Sequence, residues 1–186
     1  DEVEVVNYSA GTHKGLTAKV QILNMDASVA WEKEATVDSN EDTTNKCIKL
    51  AFPANLSKVH FIKMVLTENG KVVSDNFYHR SLEENNYQDL RQLAKVALQS
   101  TTTVDKNADG TWSAVSVIEN KTSTPALMIR LNVVGSKDGQ QLLPVFYSDN
   151  YFSLLPGEKK EVRMSWKDED TRGNEGKVLI TGYNVE

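Results

Sequence analysis

Apolar residues recur at every second position in several separate stretches of the chain, and this period constrains the fold more than any other feature. Successive side chains of a β-strand point to opposite faces, so a period of two predicts strands with one buried and one exposed face. The stretches are Leu16–Ile22, Ile62–Leu66, Leu127–Val133 and Val162–Trp166. The chain is therefore predicted to be all-β.

Turn signals separate these predicted strands. Glu68-Asn69-Gly70-Lys71 follows one apolar set and precedes Val72-Val73, which predicts a hairpin. In Leu155-Pro156-Gly157-Glu158, Pro and Gly suit the central positions of a type II turn. Strands at roughly 8–12-residue spacing, with no long helix between them, favour a sandwich or a barrel.

A polar stretch divides the chain near its middle. Residues 81–95 lack Gly and Pro and place Leu90 and Leu93 on one side at helical spacing. We interpret 83–95 as a linker with a short helical turn, between an immunoglobulin-like sandwich at 1–82 and a second one at 96–186. Each part is close to the ~100 residues that such a sandwich needs. A total of 186 residues excludes a catalytic barrel of ~250 residues.

One possible internal repeat links the two halves. Ser74-Asp75-Asn76-Phe77-Tyr78 is echoed by Ser148-Asp149-Asn150-Tyr151-Phe152. The first copy runs into the linker and the second precedes a turn, so the echo is interpreted as shared turn chemistry.

The charge balance is modestly acidic. The chain has 21 basic and 26 acidic residues, a net charge of −5, and no Lys/Arg cluster. Phosphate binding needs a concentrated positive face, so no nucleic-acid partner is predicted. No apolar stretch approaches the ~20 residues of a bilayer span, and the acidic N-terminus does not resemble a signal peptide. We expect a processed or excised chain without a membrane span.

No constellation of catalytic residues is visible. His13, His60 and His79 lie in separate segments without metal-ligand spacing, and the single Cys47 is in a strand-like run that suggests packing. There is no nucleophile elbow and no phosphate-binding Gly-rich loop. We therefore predict no catalytic residue and no cofactor in this chain.

One stretch resembles the start of a calcium-binding loop. Asp105, Asn107 and Asp109 precede Gly110 in the D-x-N-x-D-G pattern, but the twelfth position is Ser116 and not Glu. A hairpin turn closed by Asp109-Gly110 explains the same residues. The three side chains are weak metal candidates.

Aromatic residues are the candidates for stacking on sugar rings. Trp166 shares a face with Val162 and Met164, which predicts a core position. Of the other candidates, Trp31, Trp112, Tyr147 and Tyr151, the pair Tyr147 and Tyr151 is the preferred stacking site. Asn-x-Ser/Thr sequons begin at Asn7, Asn55 and Asn120, and they matter only in a source that glycosylates secreted proteins.

The stretch LPVFYSDNYFSLLPGE at 143–158 resembles the last immunoglobulin-like domain of bacterial family 2 glycoside hydrolases, in the β-mannosidase and exo-β-glucosaminidase branch. The run NKTSTPALMIRL at 120–131 is similar to the central strand of that domain. The first half is similar to the neighbouring sandwich, notably at 14–16, 29–34 and 70–78. The resemblance covers nearly the whole chain.

This resemblance implies a non-catalytic C-terminal portion of a multi-domain exo-glycosidase acting on β-mannosides or β-glucosaminides. The catalytic barrel would lie upstream, braced by the two sandwiches, in a periplasmic or secreted protein. The Asn-Glu pairs at 40–41 and 174–175 lie in polar loops, so no catalytic residue is carried over. The loop with Tyr147, Asp149, Asn150 and Tyr151 would edge the substrate pocket, or would be a turn held by its Asp and Asn side chains.

Two other function classes remain open. A carbohydrate-binding or adhesion module of an extracytoplasmic protein would carry exposed aromatic residues in a row on one sheet face. An enzyme in its own right would hydrolyse β-linked glycosides as the isolated chain. The fold cannot distinguish them, because immunoglobulin-like sandwiches have many roles.

Overall fold

A computed structural model describes all of residues 1–186, which form two compact units, Asp1–Gln92 and Leu93–Glu186. The strands of the first unit are β1 (Glu2–Asn7), β2 (His13–Asn24), β3 (Val29–Ser39), β4 (Thr43–Lys49), β5 (Val59–Glu68) and β6 (Lys71–Ser81). Those of the second are β7 (Gln99–Lys106), β8 (Thr111–Glu119), β9 (Ala126–Gly135), β10 (Phe146–Tyr147), β11 (Phe152–Leu154), β12 (Lys159–Lys167) and β13 (Gly176–Thr181). The all-β prediction is confirmed.

Helical structure is confined to two short 3₁₀ helices, Gln88–Gln92 and Asp168–Thr171. The first lies within the stretch interpreted as a linker and buries Leu90. No helix of the structure is long and apolar enough to cross a bilayer.

The first unit packs a large sheet against a small one. The large sheet has the order β3-β2-β5-β6, and the small sheet contains only β1 and β4. Alternate residues of β2 face the core and are buried, as the period predicted: Leu16, Ala18, Val20 and Ile22. Val3, Val5 and Ile48 of the small sheet pack against them.

The predicted hairpin joins β5 to β6. Glu68 pairs with Lys71, and the two residues between them have positive φ angles, 50° at Asn69 and 76° at Gly70. Asn and Gly tolerate this conformation, which a two-residue type I′ turn requires at both positions. The hairpin prediction is confirmed.

The second unit is a sandwich of four and three strands. One sheet has the order β10-β12-β8-β7 and the other β11-β9-β13. Their facing residues form one core, which includes Ile118, Ile129, Leu131, Val133 and Val162. Trp166 is 2% exposed, which confirms its core position, and it stacks on Trp112 with ring centroids 6.4 Å apart.

A buried asparagine is the last residue of β1 in the first unit, and another directly follows β8 in the second. The side chain of Asn7 accepts hydrogen bonds from the N–H and the hydroxyl of Ser9, at 2.9 and 2.7 Å, and donates to the carbonyls of Gly11 and Ser39. Its exposure is 6%. All the hydrogen-bonding directions of the amide group are thus used within the protein.

Asn120 repeats this arrangement in the second unit. Its side chain accepts from the N–H and the hydroxyl of Thr122, at 3.1 and 2.8 Å, and donates to the carbonyls of Thr124 and Leu154. It is fully buried. The partners match position by position, since Ser39 ends β3 and Leu154 ends β11. The pattern Asn-x-Ser/Thr therefore marks a structural repeat here, and neither asparagine is exposed for glycosylation.

The repeated asparagine aligns the strands of the two units. β1 corresponds to β8, β2 to β9 and β3 to β11, and the central strand begins six residues after the asparagine in both units, at His13 and Ala126. β4 then corresponds to β12, and β5 to β13, because they pair with the same neighbours. No strand of the first unit corresponds to β7.

A cluster of aromatic rings covers the other face of β5 and β6. The ring of His79 lies edge-on to Phe61 and Phe77, with centroids 5.6 and 5.5 Å away. Its Nε2 atom is buried and makes no hydrogen bond. Burial lowers the pKa of His79, because the imidazolium would lose its hydration there. Burial also lowers the pKa of His60.

These lowered histidine pKa values predict that the protein loses stability in mild acid. Unfolding exposes the imidazole groups, which then take up protons below their ordinary pKa of about 6.5. The urea midpoint of unfolding should therefore be steady above about pH 7 and decrease as the pH falls toward 5. His79→Phe should flatten part of this slope, whereas Thr36→Val, at an exposed position of β3, should not. An unchanged slope in His79→Phe would show that this histidine does not cause the acid sensitivity.

Candidate functional site

The loop that carries the four predicted substrate-edge residues connects β10 to β11 in the second unit. β10 pairs with β12 in one sheet and β11 pairs with β9 in the other, so the loop crosses from one layer of the sandwich to the other. Residues 148–151 therefore lie at an edge of the core, and each end of this segment is attached to a different sheet.

Asn150 attaches this loop to the central strand β9. Its Oδ1 atom accepts a hydrogen bond from the N–H of Leu131 at 2.9 Å, and its Nδ2 atom donates to the carbonyl of Leu131 at 2.9 Å. Oδ1 also accepts from the N–H of Tyr151 at 3.0 Å. The amide group of Asn150 thus forms the pair of hydrogen bonds that a backbone residue would form with β9, and it continues the β11–β9 pairing. Both polar atoms of this side chain are used in holding the fold.

Tyr147 makes a second attachment to β9. Its hydroxyl oxygen accepts a hydrogen bond from the N–H of Val133 at 3.2 Å, and its ring packs partly buried against the core. Burial raises the pKa of Tyr147. The Val133 N–H and the charge of Arg130 act in the opposite direction, but their effects are smaller. Tyr147 therefore helps to hold the fold together, and its ring is only partly exposed.

Asp149 fixes the loop to β12. Its carboxylate forms an ion pair with Lys160, whose Nζ atom also lies 5.1 Å from the ring centroid of Phe152. The other carboxylate oxygen accepts from the N–H of Asn150 at 2.7 Å. Three of the four candidate side chains therefore have hydrogen-bond or ion-pair partners within the second unit.

Tyr151 differs from the other three candidates because its ring faces solvent. It is 64% exposed and has a φ angle of 59°, a left-handed conformation that is uncommon for an aromatic residue. The guanidinium of Arg130 lies 5.9 Å from its ring centroid, a cation–π arrangement. Met128, on the same strand as Arg130, also has a positive φ angle, 51°.

Two other apolar side chains of the second unit are at least as exposed as Tyr151. Phe146 in β10 is 69% exposed and Leu143 is 65% exposed. Sequence reasoning singled out neither of them, nor Arg130 as a partner of Tyr151. Arg130 was visible only as an outward position between Ile129 and Leu131. Tyr151 and Arg130 together can offer a stacking ring and a guanidinium. The substrate-edge role of the β10–β11 loop stays a prediction.

The metal candidates lie at the hairpin between β7 and β8. The carboxylate of Asp109 accepts from the N–H and the hydroxyl of Thr111, at 3.0 and 2.6 Å, and these bonds lower the pKa of Asp109. Asn107 donates from its side chain to the Thr111 hydroxyl at 2.9 Å. Asp105 lies in β7, paired with Ser113. The structure brings no three His, Cys, Asp or Glu side chains together as metal ligands.

A hydrogen-bonded series of Ser9, His13 and Glu68 in the first unit was not visible in the sequence. His13 Nε2 lies 3.0 Å from Ser9 Oγ, and His13 Nδ1 lies 2.8 Å from Glu68 Oε1. The Ser9 hydroxyl donates to Asn7 Oδ1 at 2.7 Å, so its proton points away from the imidazole. A nucleophilic serine would instead donate to the histidine. The series joins the β1–β2 turn to β5.

Comparisons with known proteins point to one family. Residues 76–185 match the exo-β-D-glucosaminidase Ig-fold domain. The exo-β-D-glucosaminidase of Streptomyces avermitilis is 31% identical over 207 aligned positions, which cover 98% of this chain and 23% of that protein. The enzyme of the same name from Hypocrea jecorina is 30% identical, over an alignment that includes 100% of this chain and 23% of that protein.

Solved structures agree with the sequence comparison. The crystal structure of the Amycolatopsis orientalis exo-chitosanase CsxA superposes with a TM-score of 0.91 at 26% identity, covering 99% of this chain and 24% of that one. A β-D-mannosidase from Dictyoglomus thermophilum superposes with a TM-score of 0.59 at 14% identity, over 100% of this chain and 22% of that one, and shows the fold alone. This chain therefore spans less than a quarter of the length of these relatives.

The hydrogen bonds of the loop predict how two neighbouring substitutions differ. Asn150→Ala leaves the N–H and the carbonyl of Leu131 without their side-chain partner, which should lower the free energy of unfolding by about 1–3 kcal/mol. Tyr151→Ala removes an exposed ring and should change it by less than about 0.5 kcal/mol. Urea unfolding of both variants measures the difference. Equal losses would mean that Asn150 does not hold the loop.

Proposed function

The chain belongs to the exo-β-D-glucosaminidase Ig-fold family, and we propose that it is a non-catalytic C-terminal accessory region of a family 2 exo-glycosidase. One observation carries this proposal. The chain aligns with its relatives over 98–100% of its own length but covers only 20–23% of theirs. Most of a parent of that size, including its catalytic machinery, lies outside these 186 residues.

Within this region we place two immunoglobulin-like sandwiches in tandem, at 1–82 and 96–186, joined by 83–95. The repeated environments of Asn7 and Asn120 support a common plan for both. Five strands of each unit pair in the same way around these asparagines, which is expected of two copies of one domain type.

The proposed role is to brace the upstream catalytic domain of the same chain. Domains that pack on a neighbour need apolar surface for the contact. Exposed apolar side chains on the second unit supply it, with Leu143 and Phe146 the most exposed. The strand that carries Phe146 is held to β12 by its pairing there and to β9 by the hydroxyl of Tyr147, so Phe146 can meet a partner without reordering.

The parent is proposed to act on β-glucosaminides. The relatives at 30–31% identity carry the name exo-β-D-glucosaminidase, whereas the β-mannosidase is similar at 14% identity and supports the fold only. A periplasmic or extracellular location of the parent is part of the same proposal.

A carbohydrate-binding or adhesion module is the second candidate. The exposed ring of Tyr151, with Arg130 beside it, favours this second candidate. The hydroxyl of Tyr147 is engaged by Val133, and this leaves a smaller platform than two free tyrosines would give. We rank it below the accessory role.

Binding of sugars by the isolated 186-residue chain distinguishes the two candidates. The accessory proposal predicts no hydrolysis of aryl β-glucosaminide and no saturable heat or fluorescence change with glucosamine oligomers up to millimolar concentration. Saturable binding that is lost in Tyr151→Ala but kept in Asn107→Ala would establish the carbohydrate-binding module instead.

Deletion of the region from the parent tests the bracing role. Removing residues 1–186 should lower the thermal midpoint of the remaining enzyme or abolish its soluble expression, because apolar surface on the catalytic domain becomes exposed. A deleted parent that keeps its midpoint and its activity would rule out bracing.

A further inference from the structure

The small sheet of the first unit has a free edge beside an open groove. β1 pairs only with β4, so its other edge has no strand partner. In an antiparallel pair, alternate residues direct their N–H and C=O groups away from the partner strand. Several backbone groups of β1 therefore point toward the space beside it, where another strand could bind them.

The groove follows β1 along its whole length. Three adjoining openings, of about 450, 310 and 170 Å³, share lining residues from one to the next. Val3 and Val6 line one wall, and Met64 and Leu66 of β5 lie across from them.

One face of β6 is uncovered over this groove. Ser74 pairs with Leu66, and Asn76 pairs with Met64, so their side chains share the face that packs on the core. Both are nevertheless exposed, and Tyr78 on the same face is 49% exposed. The large sheet has four strands and the small sheet two, which leaves this part of the inner face without a covering layer.

The second unit shows what occupies the corresponding edge. β8, the counterpart of β1, pairs with β12 on one side and with β7 on the other. β7 runs antiparallel to β8 over eight residue pairs and reaches it through a short turn. Val104 of β7 packs partly buried on the core of that unit. The edge that is free in β1 is therefore covered in β8 by the strand that precedes it.

We propose that the edge of β1 and its groove bind an extended segment of the parent polypeptide, which adds to β1 as an antiparallel strand. This inference rests on the proposed function, because it takes the parent chain as the source of the segment. The order β7-β8 places that segment ahead of β1 in the parent. This chain covers only 23% of a relative such as the Streptomyces avermitilis enzyme, so a parent of that size has ample length for such a segment.

The lining residues define the sequence that the segment needs. Side chains that point inward would contact Met64 and Leu66 and should be apolar, whereas those that face solvent should be polar. The exposed face of β1 carries Glu4, whereas Glu2 pairs with Lys46 of β4, so Lys or Arg would suit the outward position beside Glu4.

Hydrogen exchange of the β1 amides tests the proposal. The 186-residue chain is compared with a longer chain that adds the parent's own segment immediately ahead of Asp1. Alternate amides of β1 should exchange at least about tenfold more slowly in the longer chain, because a second strand now binds them. Equal exchange in the two chains would overturn the proposal.

Two variants of the longer chain make the test specific. Ser74→Trp places a large ring in the groove and should restore fast exchange in β1. Thr36→Trp, at an exposed position of β3 away from the groove, is the matched control and should keep the protection. Protection that persists in Ser74→Trp would show that the segment binds elsewhere.

A second copy of the chain is the rival occupant. If the 186-residue chain alone forms dimers whose β1 amides become protected as concentration rises, the edge pairs with another copy and the proposal is wrong. Failure of the proposed function would appear separately, as a deleted parent that keeps its thermal midpoint.

Discussion

The buried asparagine at the end of β1 and of β8 is the constraint on which each unit depends. Asn7 and Asn120 each bridge a turn of their own segment and the last residue of another strand, Ser39 or Leu154. A buried amide without these partners would lose its hydration with no replacement, at a cost of about 1–3 kcal/mol. The asparagine thus fixes which strand ends meet across the two sheets of its unit.

This construction suits a region that supports chemistry located elsewhere. The polar side chains of the β10–β11 loop are committed to the fold, with Asn150 on Leu131 and Asp149 on Lys160. What remains accessible is apolar and aromatic, at Phe146 and Tyr151. In the proposed accessory role, these exposed rings would contact a partner, and the free edge of β1 would offer a second contact through the backbone.

The alternation of apolar and polar residues predicted the strands and their buried faces. It is a local property of the sequence, and Leu16–Ile22 and Val162–Trp166 display it directly. The Asn69-Gly70 hairpin was predictable for the same reason. The pairing of Asn7 with Ser39 and of Asn150 with Leu131 was not, since these partners lie 32 and 19 residues apart. The repeated Asn-x-Ser/Thr pattern was the one sequence signal for these contacts. It was interpreted as a glycosylation motif, and its structural role was therefore missed.

Paired substitutions of the two asparagines, followed by residue-resolved hydrogen exchange, test this account most directly. Asn7→Ala should speed exchange in β1 and β3 and leave β8 and β11 unchanged, and Asn120→Ala should do the reverse, each with a loss of about 1–3 kcal/mol in protection. Exchange that is unchanged in both variants, or fastest in the unit that was not altered, would contradict the claim that one repeated asparagine organises each unit.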